Sequence, residues 1–176
     1  MSSVKSPALT STDQDALQSA VIEVCENAYF VFVEPCDAPQ FSALVEQVRA
    51  EKGRGPSGRW LNASVAFHGA STGEVEVVLP ERLGTWLVVS LLGLPPDATL
   101  KDNQLLDGVG EFANMVCGAW LSRLSDDCLF ELRVPAVTRM TAGWTPLSDA
   151  GRQEVICRMV TINELPMRIL IRAADA

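Results

Sequence analysis

A chain of 176 residues with 48% hydrophobic side chains has the length of one globular domain and enough apolar surface for a sizeable core. Its 22 Asp and Glu outweigh 14 Lys and Arg, a net charge of -8, which argues against nucleic-acid phosphates or an anionic membrane as partners. Cys25, Cys36, Cys117, Cys128 and Cys157 form no Cys-x-x-Cys pair and His68 is the only histidine, so neither a disulfide framework nor a metal site is specified. The cysteines read as reduced thiols. The N-terminal residues are too polar for a signal peptide, and the longest apolar run, Trp86 to Leu94, is too short to cross a bilayer. The expectation is a cytoplasmic protein.

Residues 1–10 are small and polar and read as a flexible N-terminus, leaving 11–176 as one domain. Ser11-Thr12-Asp13 supplies capping groups for a helix on which Leu17, Val21, Val24 and Ala28 recur at helical spacing. Tyr29 to Val33, aromatic and β-branched, predicts a short strand ended by Pro35. Within Cys36 to Arg59 a short helix is expected at Phe41 to Ala50, followed by a Lys-Gly-Arg-Gly-Pro-Ser-Gly loop read as the most mobile internal segment. Leu61 to His68 and Val75 to Leu79 alternate apolar with polar or small residues and predict two half-buried strands joined by the Gly69 to Gly73 turn. Pro80 suits a first helical turn, and Glu81 to Gly93 predicts a nearly buried helix stopped by Gly93-Leu94-Pro95-Pro96. A longer helix follows from Asp102 to Leu124. Beyond Asp126-Asp127, three strand-like stretches are expected: Cys128 to Met140, Glu154 to Asn163 and Met167 to Arg172. Helices and strands segregate in part, which favours an α+β domain with helices packed on a largely antiparallel sheet.

On the long helix, Val109, Ala113, Val116, Trp120 and Leu124 fall on one side, the expected core side. Asp107, Glu111, Asn114, Met115 and Gly118 collect opposite, so a carboxylate and a carboxamide three positions apart project together. The solvated face of any amphipathic helix satisfies the same periodicity. Asn114 and Gly118, however, are poor helix formers that stability alone would not select, and the glycine leaves backbone open to close approach.

Asp107-Gly-Val-Gly-Glu111-Phe-Ala-Asn114-Met-Val-Cys-Gly118 resembles the motif of the CheX/CheC/FliY chemotaxis phosphatases: Asp or Ser, three residues, Glu, two residues, Asn. The likeness extends to Met115 and Gly118, to the strand Phe130 to Val137 with its Pro135, and to the order of the Val65 to Leu79 hairpin and the helix after it, covering roughly Leu61 to Arg172. A second copy of the motif, as in CheC, would fall on Ser19, Glu23 and residue 26, but Glu26 stands where asparagine is needed. One site per chain resembles CheX.

The resemblance implies a CheC-like fold and hydrolysis of an aspartyl phosphate on a CheY-like response-regulator receiver. It assigns Asn114 to orienting the attacking water and Glu111 to an ion pair with the receiver's lysine, with Asp107, Met115 and Gly118 in the contact surface. Asp107 also suits the helix dipole near the start of the helix. No cofactor of the chain's own is implied, since Mg²⁺ belongs to the receiver site. Relatives pair through strands, so a homodimer is expected, with the C-terminal strand offering an edge.

Other residues read as structural. His68 follows a strand with no nucleophile nearby. Trp60, Trp86, Trp120 and Trp144 are scattered as packing residues, and Gly53 to Gly58 lacks the Gly-Lys-Ser/Thr ending of a phosphate loop. Two alternatives to a phosphatase stay open: a non-catalytic receiver-binding or scaffold domain, and a small-molecule sensor.

Overall fold

The structure, a computed structural model, describes residues 11–50, 59–124, 129–140 and 155–173. The expected flexible N-terminus, the glycine-rich loop at 51–58, Cys128 and Trp144 lie outside the described residues.

The elements in chain order are α1 (Ser11–Ala28), β1 (Glu34–Pro35), α2 (Ala38–Ala50), β2 (Trp60–His68), β3 (Gly73–Pro80), α3 (Glu81–Leu91), α4 (Asp102–Leu124), β4 (Glu131–Leu132), β5 (Ala136–Met140), β6 (Val155–Ile162) and β7 (Leu165–Ala173). The strands form one antiparallel sheet in the order β1-β6-β7-β3-β2-β4, and β5 pairs with β2 further along the edge that β4 uses. Four helices pack on this sheet, the α+β architecture expected. None of the described helices is long and apolar enough to cross a membrane.

On β2, Leu61, Ala63, Val65 and Phe67 are buried and alternate with half-buried Asn62, Ser64 and Ala66. Their register partners Leu79, Val77 and Val75 carry the same face across to Ile169 and Ile171 of β7. Against it lie Leu17, Val21 and Val24 of α1, Leu83 and Leu87 of α3, and Val109, Phe112, Ala113, Val116 and Trp120 of α4, in one continuous core.

Four departures from the sequence reading have identifiable causes. Tyr29 to Val33 is not a strand: the Tyr29 and Val31 amides both donate to the Cys25 carbonyl, closing the end of α1, and Phe30 turns the chain at φ 56°. A left-handed backbone at a bulky residue costs about 1–3 kcal/mol. The strand begins only at Glu34, and Pro35 is tolerated because β1 is the edge of the sheet. Next, Cys128 to Met140 is not one strand, because β4 and β5 run along the same edge of β2 but are separated at residues 133–135, where Pro135 has no amide to give. The Arg133 amide instead donates to the Ala66 carbonyl at 2.8 Å. Between β6 and β7 the chain reverses on Asn163 and Glu164, both left-handed, and Pro166 falls inside β7 rather than in a loop. Finally, the C-terminal strand offers no edge: β7 lies between β6 and β3 and pairs with both.

The placement of α4 depends on two contacts with its neighbours. Gly108 lies against α3, where an added β-carbon would sit 2.5 Å from Val88 Cγ2 and 2.8 Å from its Cγ1. Val88 is buried and, being β-branched, has one comfortable rotamer in a helix, so it cannot step aside. Gly108→Ala gains about 1 kcal/mol of helix propensity but incurs about 1–3 kcal/mol of overpacking. The net expectation is destabilisation by about 1 kcal/mol, read as a lower urea midpoint; a raised midpoint would show the two helices are not this close.

The second contact is ionic. Arg139 of β5 bonds Glu81, at the start of α3, through Nε at 3.1 Å, and its Nη1 bonds Asp102, at the start of α4, at 3.0 Å. Glu81 is buried, so this guanidinium neutralises an interior carboxylate while joining two helix beginnings to one strand. The same cation holds the Asp102 carboxyl below its ordinary range.

Candidate functional site

Helix α4 is well specified at both ends. The Lys101 amide donates to Gln104 Oε1 at 3.0 Å, one half of a capping box, and Arg123 donates to the Ala119 carbonyl at 2.7 Å in the last turn. Within it the core residues Val109, Phe112, Ala113, Val116 and Trp120 are buried, and Trp120 Nε1 donates to the Asp13 carbonyl of α1 at 3.3 Å. Leu124 is half-buried. The helix is thus fixed on its inner side, and the outer side inherits that rigidity.

On the outer side Asp107 and Glu111 are exposed, while Asn114, Met115 and Gly118 are half-buried. Met115, at the margin of this face, also packs against the core. No side-chain hydrogen bond or ion pair joins Asp107, Glu111 or Asn114 to another described residue. At an exposed helix face such groups bond water, which a partner can displace. Exposed Glu111 and half-buried Asn114 thus stand one turn apart, bonded to no other described residue. At Gly118 an added β-carbon would come no closer than 4.0 Å to Leu132, leaving the helix backbone accessible there.

Two structures flank this face. On one side lies a groove of about 300 Å³ lined by Leu106, Asp107, Gly110, Glu111, Val134, Pro135 and Val137. Gly110 makes it: an added β-carbon would come within 3.2 Å of Pro135 Cβ and 3.3 Å of Val137 Cγ2. On the other side is the Tyr29 turn. Tyr29 is fully buried, meets Phe112 edge-on at 5.2 Å and directs its hydroxyl at Met115 Sδ, 4.0 Å away. Burial, with the Glu111 carboxylate adding to it, pushes the Tyr29 phenol well above its ordinary range. Ser90 Oγ donates to the Tyr29 carbonyl at 2.8 Å and holds the turn from α3.

Sequence reasoning did not find Tyr29, Gly110, Val134 or Val137 as neighbours of the site. Pro135 was noticed only as a family feature. None of these positions carries a local signal for its role, because each is brought to α4 by tertiary packing.

The residues at the motif spacing on α1 are also placed. Ser19, Glu23 and Glu26 are exposed, and Glu23 is ion-paired with Arg123 of α4. Glu23 thus serves as a link between two helices. Trp60 and Trp120 are buried and Trp86 half-buried, in keeping with packing roles. His68 ends β2, exposed, opposite Glu131. Among the described residues no group of three or more His, Cys, Asp or Glu could hold a metal ion.

The thiols of Cys25 and Cys117, both buried, have pKa values pushed up to about 12, by burial and, at Cys25, also by the charge of Glu26. The folded chain therefore keeps thiol protons that the unfolded chain releases above about pH 8.5. Stability is expected to fall as pH rises through that value and onward toward 12. Urea midpoints measured between pH 8 and 10 test this, with a shallower decline expected for Cys117→Ala; an identical pH slope in that variant would remove the thiol from the account.

The family model described as chemotaxis phosphatase CheX matches residues 61–157, more than half of the chain, and includes α4 with its outward face. The chain belongs to the CheX family. The same fold appears in CheX from Desulfovibrio desulfuricans, 19% identical, with a TM-score of 0.66 over 93% of this chain and 99% of that one. CheX from Vibrio vulnificus is 17% identical, with a TM-score of 0.63 over 91% and 95% of the two chains. A CheX–CheY complex with BeF₃ and Mg²⁺ from Borrelia burgdorferi aligns at 12% identity and a TM-score of 0.61, over 92% and 97%. No curated protein matches in sequence. At these identities the neighbours establish a shared fold.

Proposed function

We propose that this CheX-family protein is a phosphatase of aspartyl phosphate on a CheY-like response-regulator receiver, acting in the cytoplasm in two-component signalling. The observation that carries this reading is the pair Glu111 and Asn114: side by side on the outward face of a helix held firmly from within, and bonded to no other described residue. That a neighbour of the same fold is a CheX–CheY complex supports the choice of partner.

The chemistry suits a carboxamide and a carboxylate. Hydrolysis of an aspartyl phosphate needs a water aligned with the phosphorus, opposite the leaving carboxylate oxygen, and depends mostly on placement and electrostatics. The Asn114 carboxamide carries an acceptor for a water O–H and donors for a phosphoryl oxygen, so it can fix the water's direction without taking its proton. Glu111 has the charge to pair with the receiver's lysine and so set the distance of approach. Mg²⁺ supplied by the receiver site would offset phosphoryl charge; the chain itself brings no cofactor. Asp107, Met115 and Gly118 complete the contact surface, the glycine because its bare backbone admits a neighbour closely.

A homodimer is part of the same proposal. With β7 interior, strand pairing between copies would use one of the two sheet edges, the outer side of β6 beyond the Val160 and Thr161 that pair with β1, or β4 and β5 on the far side of β2.

Phosphate release from a panel of phosphorylated receivers of the same cell tests the reading. At least one receiver is expected to lose phosphate on the order of 10²-fold faster with the protein than alone. Binding of receivers with no acceleration for any of them would replace the phosphatase by a receiver-binding scaffold.

A further inference from the structure

The polar pair alone is too small to hold a protein. From Asp107 to Gly118 the helix advances only about 16 Å, whereas a specific interface buries about 800 Å² on each partner, with its affinity concentrated in a few desolvated apolar or aromatic anchors. The structure supplies such anchors on both sides of the face. Phe30 and Phe32 are each 83% exposed on the turn whose Tyr29 touches Met115, and Val134 is 90% exposed at the groove shared with Asp107 and Glu111. Exposed phenylalanine at two positions of one short turn is a feature that folding does not require.

Phe30 is also displayed rigidly. Its left-handed backbone, φ 56°, is enforced by the Tyr29 and Val31 amides converging on the Cys25 carbonyl and by Ser90 Oγ on the Tyr29 carbonyl. Strain imposed by surrounding structure at an exposed aromatic residue points to a use for that orientation. A side chain presented on an ordered turn loses little freedom on binding, which favours affinity.

We propose that Phe30 and Phe32 on one flank and Val134 on the other are the docking anchors that hold the receiver over Glu111 and Asn114. This rests on the receiver-phosphatase reading and extends it by naming what sets affinity, as distinct from what performs hydrolysis. The arrangement is an acidic centre between apolar flanks. It fits a partner that offers a cationic group beside its phosphorylated pocket and apolar surface around it, and the uncommitted carboxylates of Asp107 and Glu111 supply the matching charge.

The test compares wild type with Phe30→Asn, Phe32→Ser and Val134→Ser. Asparagine is chosen at position 30 because it accepts the left-handed backbone while removing the ring. Each protein is titrated with a beryllofluoride-loaded receiver, and phosphate release is followed against receiver concentration. The expected result is a rise of about tenfold in both Kd and KM for the phenylalanine variants, with kcat at saturation within twofold of wild type. Unchanged Kd and KM in variants of a wild type that does accelerate release would overturn the anchors and leave the phosphatase reading standing. A wild type that neither binds nor accelerates removes the reading and the anchors with it. Light scattering covers the remaining occupant: loss of a dimer with receiver affinity intact would assign this surface to a second copy of the chain and overturn the proposal.

Discussion

Asn114→Ala is expected to slow receiver dephosphorylation on the order of 10²-fold at saturation, with little change in KM. The argument follows from what the residue touches. Asn114 is half-buried on the outward face, and its carboxamide bonds no other described residue, so removing it frees no interior group and opens no core cavity. Folding should therefore be almost unaffected, within about 0.5 kcal/mol. The loss falls on the transition state, where a water that had been aimed at phosphorus must now find its direction unaided. A stopped-flow or radiolabel record of phosphoryl loss reads the rate, and a thermal melt of the same sample reads the fold. A variant as fast as wild type would mean that water is aligned by another group.

Phe112→Ala, two residues away on the same helix, is expected to act in the opposite way. Phe112 is fully buried and meets Tyr29 edge-on with ring centroids 5.2 Å apart. Truncating a buried phenylalanine costs about 3–5 kcal/mol, the sum of lost transfer energy and the cavity left behind. Against a total of about 5–15 kcal/mol this is a large share, and at this chain length it corresponds to a fall in Tm of roughly 10 °C. It also removes the ring behind Tyr29, so the turn and the Met115 face should loosen together. Phe112→Leu, which refills most of the volume, is expected to recover more than half of the loss. Calorimetry reads both; a fall of under about 2 °C for the alanine variant would mean that the inner side of α4 is not packed as described.

These two variants bear on why the inner and outer faces of α4 were more legible in the sequence than other parts of the fold. Helix α4 carries its core residues over 23 positions, and a 3.6-residue period sustained for that length leaves little freedom in which side faces outward. The hairpin of β2 and β3 was legible for the same reason, a period of two over both strands. Tyr29 to Val33 misled because its aromatic and β-branched content favours a strand, whereas two amides bonding one carbonyl at the end of α1 override that preference. The break between β4 and β5 turns on Pro135, visible in the sequence but silent about where the flanking strand pairs. The expectation of a C-terminal edge failed on sheet order, which is set by contacts between residues far apart in the chain, Val75 with Ile171 for example. Sequence periodicity says which face a strand buries and nothing about which strand lies beside it.

The groove beside Glu111 was hidden for a related reason. Gly110 reads as a weak point within a helix, but it is the residue that lets Pro135 and Val137 come close. Its purpose becomes visible only once β5 is placed. Glu23, at the motif spacing on the first helix, is ion-paired with Arg123 of α4, a contact between distant residues that the sequence alone does not show.

The most direct test separates the two roles assigned to one turn of α4. Phosphate release from a phosphorylated cognate receiver is measured over a range of receiver concentrations for wild type, Asn114→Ala and Glu111→Gln. The expected outcome is a loss of kcat on the order of 10²-fold with KM retained for Asn114→Ala, and a rise in KM of about tenfold for Glu111→Gln, because the first places water and the second pairs with the receiver's lysine. If both variants matched wild type in kcat and KM, the outward face of α4 would have no part in the reaction.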